Sequence, residues 1–502
     1  MYRIKAGTPP VVRHVFAVLA GSIAVAGEGR ASLTLGRPTE RVLLYPRAYG
    51  RLLGCLRAGR QGGSDALAER GIREVIAGPN ARLWLAVSAV VAGLAVAVRI
   101  HSAFLYAPLY DFDGPGHALN VLAIHRGRLP DVATWAGFHP PLYYALGALV
   151  WALLPEAVPV HVGLRLLSGA AGLALAVIVW RTLARLVSAP DAAIAGVVVF
   201  CSPVFTIASD MLGNEMLCAC FVTAALSRLV AVPWEVTDNL RHAVVTSLFL
   251  VGGLLTKSTA LIAVPVCAGF YALGYRGRPA RALVAAALVG GLPLLAASPH
   301  YARLLHASGG SLLSVVSGAA LTPEVQREMR VQPPGERHLR DYLTLPPATF
   351  LSPVHVAPGM ERSVPGMLWG STWADAHGEF LPMDQPAAVG GAAALSTAGL
   401  LPVALAAFGL WRFLRSPRSF TGAVAPLVFA AALMVAFLRY TWMLPAYSAV
   451  KASYLLPASL SAALLLALGL DGLGPRARVA ARIGCLALAF SSTLVLWQVW
   501  WT

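Results

Sequence analysis

Charge is scarce in this sequence. Asp, Glu, Lys and Arg make up only 12% of its 502 residues, roughly half the share usual in soluble domains. Hydrophobic residues make up 57%, and the mean hydropathy is +0.68. A soluble globule this apolar would lack polar surface to cover its core, so the composition predicts an all-α polytopic membrane protein. Acidic residues are the scarcer sign: 23 against 39 basic ones, a net charge of +16. In a soluble chain that excess would suggest nucleic acid. In a polytopic chain it reads as arginine-rich cytoplasmic turns, and no nucleic-acid partner is expected. The six cysteines contain no C-x-x-C pair, which leaves a disulfide framework or zinc site unsupported. A strict internal repeat is also lacking. Lysine is nearly absent: only Lys5, Lys257 and Lys451 occur.

What is present is a series of apolar runs. Eleven candidate spans are read at about 82–100, 160–181, 190–208, 209–230, 241–256, 258–275, 280–298, 388–411, 420–438, 452–470 and 480–499. Arginine sets their direction. With residues 1–80 cytoplasmic, Arg181, Arg185, Arg228, Arg241, Arg276, Arg278, Arg412, Arg415, Arg418, Arg476, Arg478 and Arg482 all fall inside. The run His139–Leu154 must then lie at the outer surface rather than cross. Its two prolines and its length of about 16 residues agree with that. Four regions follow: a basic extension 1–80, a transmembrane module 81–298 with an outer loop 101–159, an outer loop 299–387, and C-terminal helices 388–502. Within the extension, residues 11–27 are apolar but short and broken by Arg13 and His14, and a span there stays open.

This topology gathers the polar residues on the outer face. The first loop gives Y-D-F-D-G-P-G-H, with Asp111, Asp113 and His117, and then His139. The hairpin S-D-M-L-G-N-E gives Asp210 and Glu215; T-K-S gives Lys257; Arg439 and Lys451 flank a later loop; W-A-D-A-H-G-E gives His377. Ionisable groups at membrane depth are costly and face a cavity or a partner. Carboxylates there can take a proton from an acceptor, and cations can carry a phosphate's charge. The histidines can support either, and their spacing defines no metal site.

Several of these stretches together resemble the GT-C glycosyltransferases, the class that includes protein O-mannosyltransferases and lipid A aminoarabinose transferases. They are D-G-P-G-H (113–117), G-R-L-P (127–130), H-P-P-L-Y-Y (139–144), R-L-L-S (165–168), L-L-T-K-S (254–258) and K-A-S-Y-L-L-P-A (451–458). The resemblance implies a GT-C-like bundle in the plasma membrane with its site on the outer face. It implies a polyprenyl-phosphate sugar donor and a protein, lipid or glycan acceptor. It implies a base at Asp113, with Asp111 as runner-up, and a second acidic group at Asp210 or Glu215. Lys257, Arg439 and Lys451 would face the donor phosphate, and His117, His139 and His377 would support. The chain departs from the Asp-Glu pair common in the class: Gly114 follows Asp113. Asp111 and Asp113 therefore stay open as a base and its helper or as ligands of a divalent ion such as Mg or Mn; no cofactor is certain. An inverting transfer is expected. The rival readings are a transporter or flippase of lipid-linked sugars and a non-catalytic assembly subunit.

Overall fold

The computed structural model describes residues 79–105, 112–132, 134, 136–155, 157–231, 240–275, 277–307, 332–357, 359–380 and 385–501. The expected N-terminal extension and Asp111 lie outside them. Among the described residues every regular element is helical. Helix α1 spans Pro79–Leu105, and two short helices follow, α2 (Gly114–His125) and α3 (Leu142–Leu153). Next come α4 (Val160–Leu183), α5 (Ala189–Phe200), α6 (Pro203–Asp210), α7 (Glu215–Ala231), α8 (Arg241–Leu254), α9 (Ala263–Gly274) and α10 (Pro279–Ala307). The second loop carries α11 (Leu339–Leu343) and α12 (Val364–Trp373); α13 (Pro386–Ala398), α14 (Leu400–Arg415), α15 (Val424–Met443), α16 (Ser459–Gly472) and α17 (Pro475–Trp501) complete the bundle.

All eleven predicted runs are helical, but they differ in kind. Among the described residues, seven helical stretches are long and apolar enough to cross a membrane alone. The run 190–208 is the pair α5 and α6, bent by 58° at the break between them. Pro203 causes the break, because it has no N–H to continue the ladder. Three carbonyls freed there take side-chain donors. Ser202 donates to Val199, Arg99 donates to Phe200, and the Ser492 hydroxyl donates to Cys201 at 2.6 Å. The run 209–230 begins helically only at Glu215, since residues 209–210 close α6. Helix α8 has 14 residues, about 21 Å of rise, and stops where Lys257 turns extended (φ −157°, ψ 142°) ahead of a 3₁₀ turn, Ser258–Ile262. At the other extreme, α1 and α10 outrun their predicted ends and reach Leu105 and Ala307. Helix α3, expected at the surface, has 12 residues and buries Tyr143, Tyr144, Ala145 and Ala148 against α2 and α4.

The two ends of the bundle differ in chemistry. One end is closed by arginine. Arg482 meets the buried Asp191 at 2.9 Å, and Arg412 meets Asp471 at 3.5 Å. These pairs join the ends of α5, α14, α16 and α17. The opposite end carries the loops and the polar residues described next. The packing between α14 and α16 is close enough that a Cβ on Gly409 would lie 2.0 Å from the Leu465 carbonyl oxygen. Only glycine allows that approach.

Candidate active site

Two lysines enter the chamber by the same backbone device. Lys257 is the extended residue before one 3₁₀ turn, and Lys451 (φ −119°, ψ 128°) is the extended residue before another, Ala452–Ala458. An extended residue between helical segments throws its side chain out of the helix wall. Lys257 Nζ lies 2.6 Å from Glu215 Oε1, at the first residue of α7. Lys451 Nζ lies 3.7 Å from Asp113 Oδ2, at the N-cap of α2. The Asp113 carboxylate does not cap its helix, so capping does not hold it back from the chamber. Each ammonium also rests on an aromatic face: Lys257 on Tyr454 at 4.9 Å, Lys451 on Phe112 at 4.1 Å. Such contacts hold a cation without consuming its donors.

His117 is buried, and the charges acting on it are Glu215, Asp113, Lys257 and Lys451. Its Nδ1 is 3.0 Å from the Tyr144 hydroxyl, which donates at 2.7 Å to the Ala136 carbonyl. Because the tyrosine proton is spent on Ala136, the hydroxyl accepts from Nδ1–H, and Nε2 keeps its lone pair. Ala136 itself sits at φ 61°, a left-handed conformation that costs a non-glycine residue on the order of 1 kcal/mol. His139 stacks on His117 with ring centroids 5.7 Å apart. Burial pushes both imidazoles below their ordinary range, His139 the further. Both are therefore neutral near pH 7.

The remaining expected residues divide. His377, in the second loop, packs edge-on to Phe112 at 5.1 Å and so joins the Lys451 side of the chamber. Asp210 does not join it. It is buried behind the hairpin, its charged neighbours are Arg99 and Arg165, and its Oδ2 has no hydrogen-bond partner. Arg439 is exposed on α15, while the next residue, Tyr440, turns in to Tyr454 at 5.8 Å. Among the described residues no three His, Cys, Asp or Glu side chains converge as metal ligands. Sequence reasoning missed Phe112, Tyr144, Tyr454 and the buried Arg99 and Arg165. The two arginines carried a readable signal, since each interrupts an apolar run (V-A-V-R-I and V-G-L-R-L).

Fold and chamber together define an all-α polytopic membrane protein with paired acids and lysines gathered at one end of its bundle. No family model matches the chain, and no curated protein matches it by sequence. Solved structures similar to it include the oligosaccharyltransferase of Archaeoglobus fulgidus in its apo form, at 13% identity and a TM-score of 0.47, over 83% of this chain and 56% of that one. The archaeal oligosaccharyltransferase AglB from Archaeoglobus fulgidus, in complex with an inhibitory peptide and a dolichol-phosphate, gives 15% identity and a TM-score of 0.48, over 83% and 55%. ArnT from Cupriavidus metallidurans bound to undecaprenyl phosphate gives 15% and 0.45, over 82% and 75%. The chain thus spans about half the length of the oligosaccharyltransferase chains it matches.

Proposed function

We propose that the protein is a glycosyltransferase of the plasma membrane. It moves a sugar from a polyprenyl-phosphate donor to an acceptor at the outer face. The observation that carries this reading is the Asp113–Lys451 pair, 3.7 Å apart and only partly exposed, beside the buried Glu215–Lys257 pair. The two pairs gather carboxylates and ammonium groups in one chamber, the two kinds of group that displacement of a prenyl phosphate needs. Asp113 takes the proton of the acceptor hydroxyl or amine, and the freed lone pair attacks the anomeric carbon. The bond from that carbon to the phosphate oxygen breaks, and the prenyl phosphate leaves with the electron pair. Lys451 receives the leaving phosphate. Lys257, already bound to Glu215, keeps further N–H groups for the same anion. Attack opposite the leaving group inverts the anomeric centre.

The test uses purified protein in lipid nanodiscs with polyprenyl-phosphate sugars of several kinds, reading release of the prenyl phosphate and transfer to added acceptors. Wild type is expected to transfer from at least one donor. Asp113→Asn should lose about a hundredfold or more of that rate while still showing a cooperative unfolding transition. Transfer by Asp113→Asn at the wild-type rate removes Asp113 from the mechanism. Movement of intact lipid-linked sugar across the bilayer without transfer would favour the flippase reading instead.

A further inference from the structure

We propose that His377, Lys451 and Phe112 form a subsite for the hydroxymethyl arm of a hexopyranose, which rests on the glycosyltransfer reading for that hexose being a substrate. The recess lies between the second loop and α6, and Phe112, Ile207, Met211, Ser371, His377 and Lys451 line it. Its volume is about 30 Å³. That is room for about two water-sized groups, too small for a sugar ring and matched to one carbon bearing one oxygen. The walls at Ile207, Met211 and Phe380 are apolar and buried, as a CH₂ group requires.

The polar side of the recess selects the group that enters. His377 Nε2 is buried and has no hydrogen-bond partner. The ring's backbone partner is the Tyr447 carbonyl. A carbonyl only accepts, so Nδ1 carries the proton and Nε2 presents a lone pair. Burial pushes this imidazole down to about 3, so it stays neutral across the physiological range. Lys451, which lines the same recess, offers N–H donors and sits 4.1 Å from the Phe112 ring centre. A group placed between them must accept from an ammonium and donate to a lone pair, which a hydroxyl does. A second ammonium meets the like charge of Lys451. A carboxylate has no proton for Nε2. A methyl group leaves both polar atoms unpaired, and an unpaired buried polar group is the larger loss.

The experiment measures equilibrium binding to the full chain in nanodiscs, without turnover. The probes are methyl hexopyranosides of the gluco, galacto and manno series, each beside its 6-deoxy and 6-carboxylate counterparts. A second pair is a short-chain prenyl-phosphate hexose and its 6-deoxy form. At least one hexose is expected to bind about tenfold or more tightly than its 6-deoxy and 6-carboxylate forms. Discrimination within the prenyl-phosphate pair assigns the arm to the donor. Discrimination among the free glycosides alone assigns it to the acceptor. His377→Phe should erase the difference. His377→Gln, whose Oε1 can stand in for Nε2, should keep most of it. Equal binding of 6-hydroxyl and 6-deoxy forms by wild type overturns the subsite, whatever the variants do. So does discrimination retained in a folded His377→Phe. A wild type that discriminates at C6 but transfers no sugar loses the glycosyltransfer reading and keeps the subsite.

Discussion

At the scale of single residues, the chamber is a matter of paired charges. Glu215 and Lys257 are both nearly buried, with side-chain exposures of 12% and 9%. Removing one partner strands the other. Glu215→Gln should therefore lower stability by about 3–5 kcal/mol, read from thermal unfolding in detergent. The double variant Glu215→Gln with Lys257→Met should recover a large part of that loss, because no charge is left stranded. Additive losses would mean that the two side chains do not act as a pair. The lysines were legible in the sequence because lysine is so rare here that two at one boundary stand out. Asp210 was legible as a polar residue at the right depth, yet its neighbours were not. Arg99 and Arg165 reach it from two other helices, and only the fold brings them there. Arg439 failed for a local reason: helical periodicity gives the inward position to Tyr440 and leaves its neighbour outside.

At the scale of elements, hydropathy located the helices but not their interruptions. A sliding apolar run cannot register that Pro203 lacks an N–H, or that Thr256 and Lys257 leave the helical path. Those interruptions build the site, so the least legible features of the elements are the ones that matter to it. Close packing was equally hidden. Gly409 and Gly469 look like ordinary glycines in apolar runs, yet each faces backbone of the other helix. A Cβ on Gly469 would lie 2.0 Å from the Leu405 carbonyl oxygen. Backbone cannot rotate away as a side chain can. Gly469→Ala should therefore cost about 3 kcal/mol of stability in thermal unfolding. Gly291→Ala, with nothing within 4 Å of the added carbon, should be neutral or slightly stabilising. Equal effects at the two sites would contradict the tight crossing of α14 on α16.

At the scale of the whole molecule, the arginine end and the chamber end give an orientation that can be tested. The positive-inside rule predicts that Arg412, Arg478 and Arg482 face the cytoplasm. Single cysteines can test this, since four of the five described native cysteines are buried and Cys220 is half-buried. With Cys55 replaced by Ser, Glu379→Cys should react with a membrane-impermeant maleimide on intact cells. Arg415→Cys should react only after permeabilisation. The reverse pattern would put the chamber on the cytoplasmic side and remove the proposed outer-face reaction. The expected orientation rests on arginine recurring at every second turn, and the labelling experiment tests it. The second loop was not legible in the sequence: its helices α11 and α12 and the fold of Asp375, whose carboxylate accepts from the Phe380 N–H at 2.5 Å, arise from contacts that no periodic pattern announces.

Helix α3 is tied to the bundle by a backbone hydrogen bond, Leu142 N–H to the Leu255 carbonyl, 2.8 Å long. Leu255 stands two residues before Lys257, and the far end of α3 shows Leu153 at 67% exposure. A hydrogen bond tolerates little stretching, so a tilt of α3 would pull on the chain two residues ahead of Lys257. In the proposed orientation the exposed tip of α3 would lie at the membrane interface, where bilayer thickness tilts such elements at small cost per ångström. Lipid would then bear on the geometry around Lys257 and Glu215, as part of the chamber's wall and not only as the solvent of the bundle.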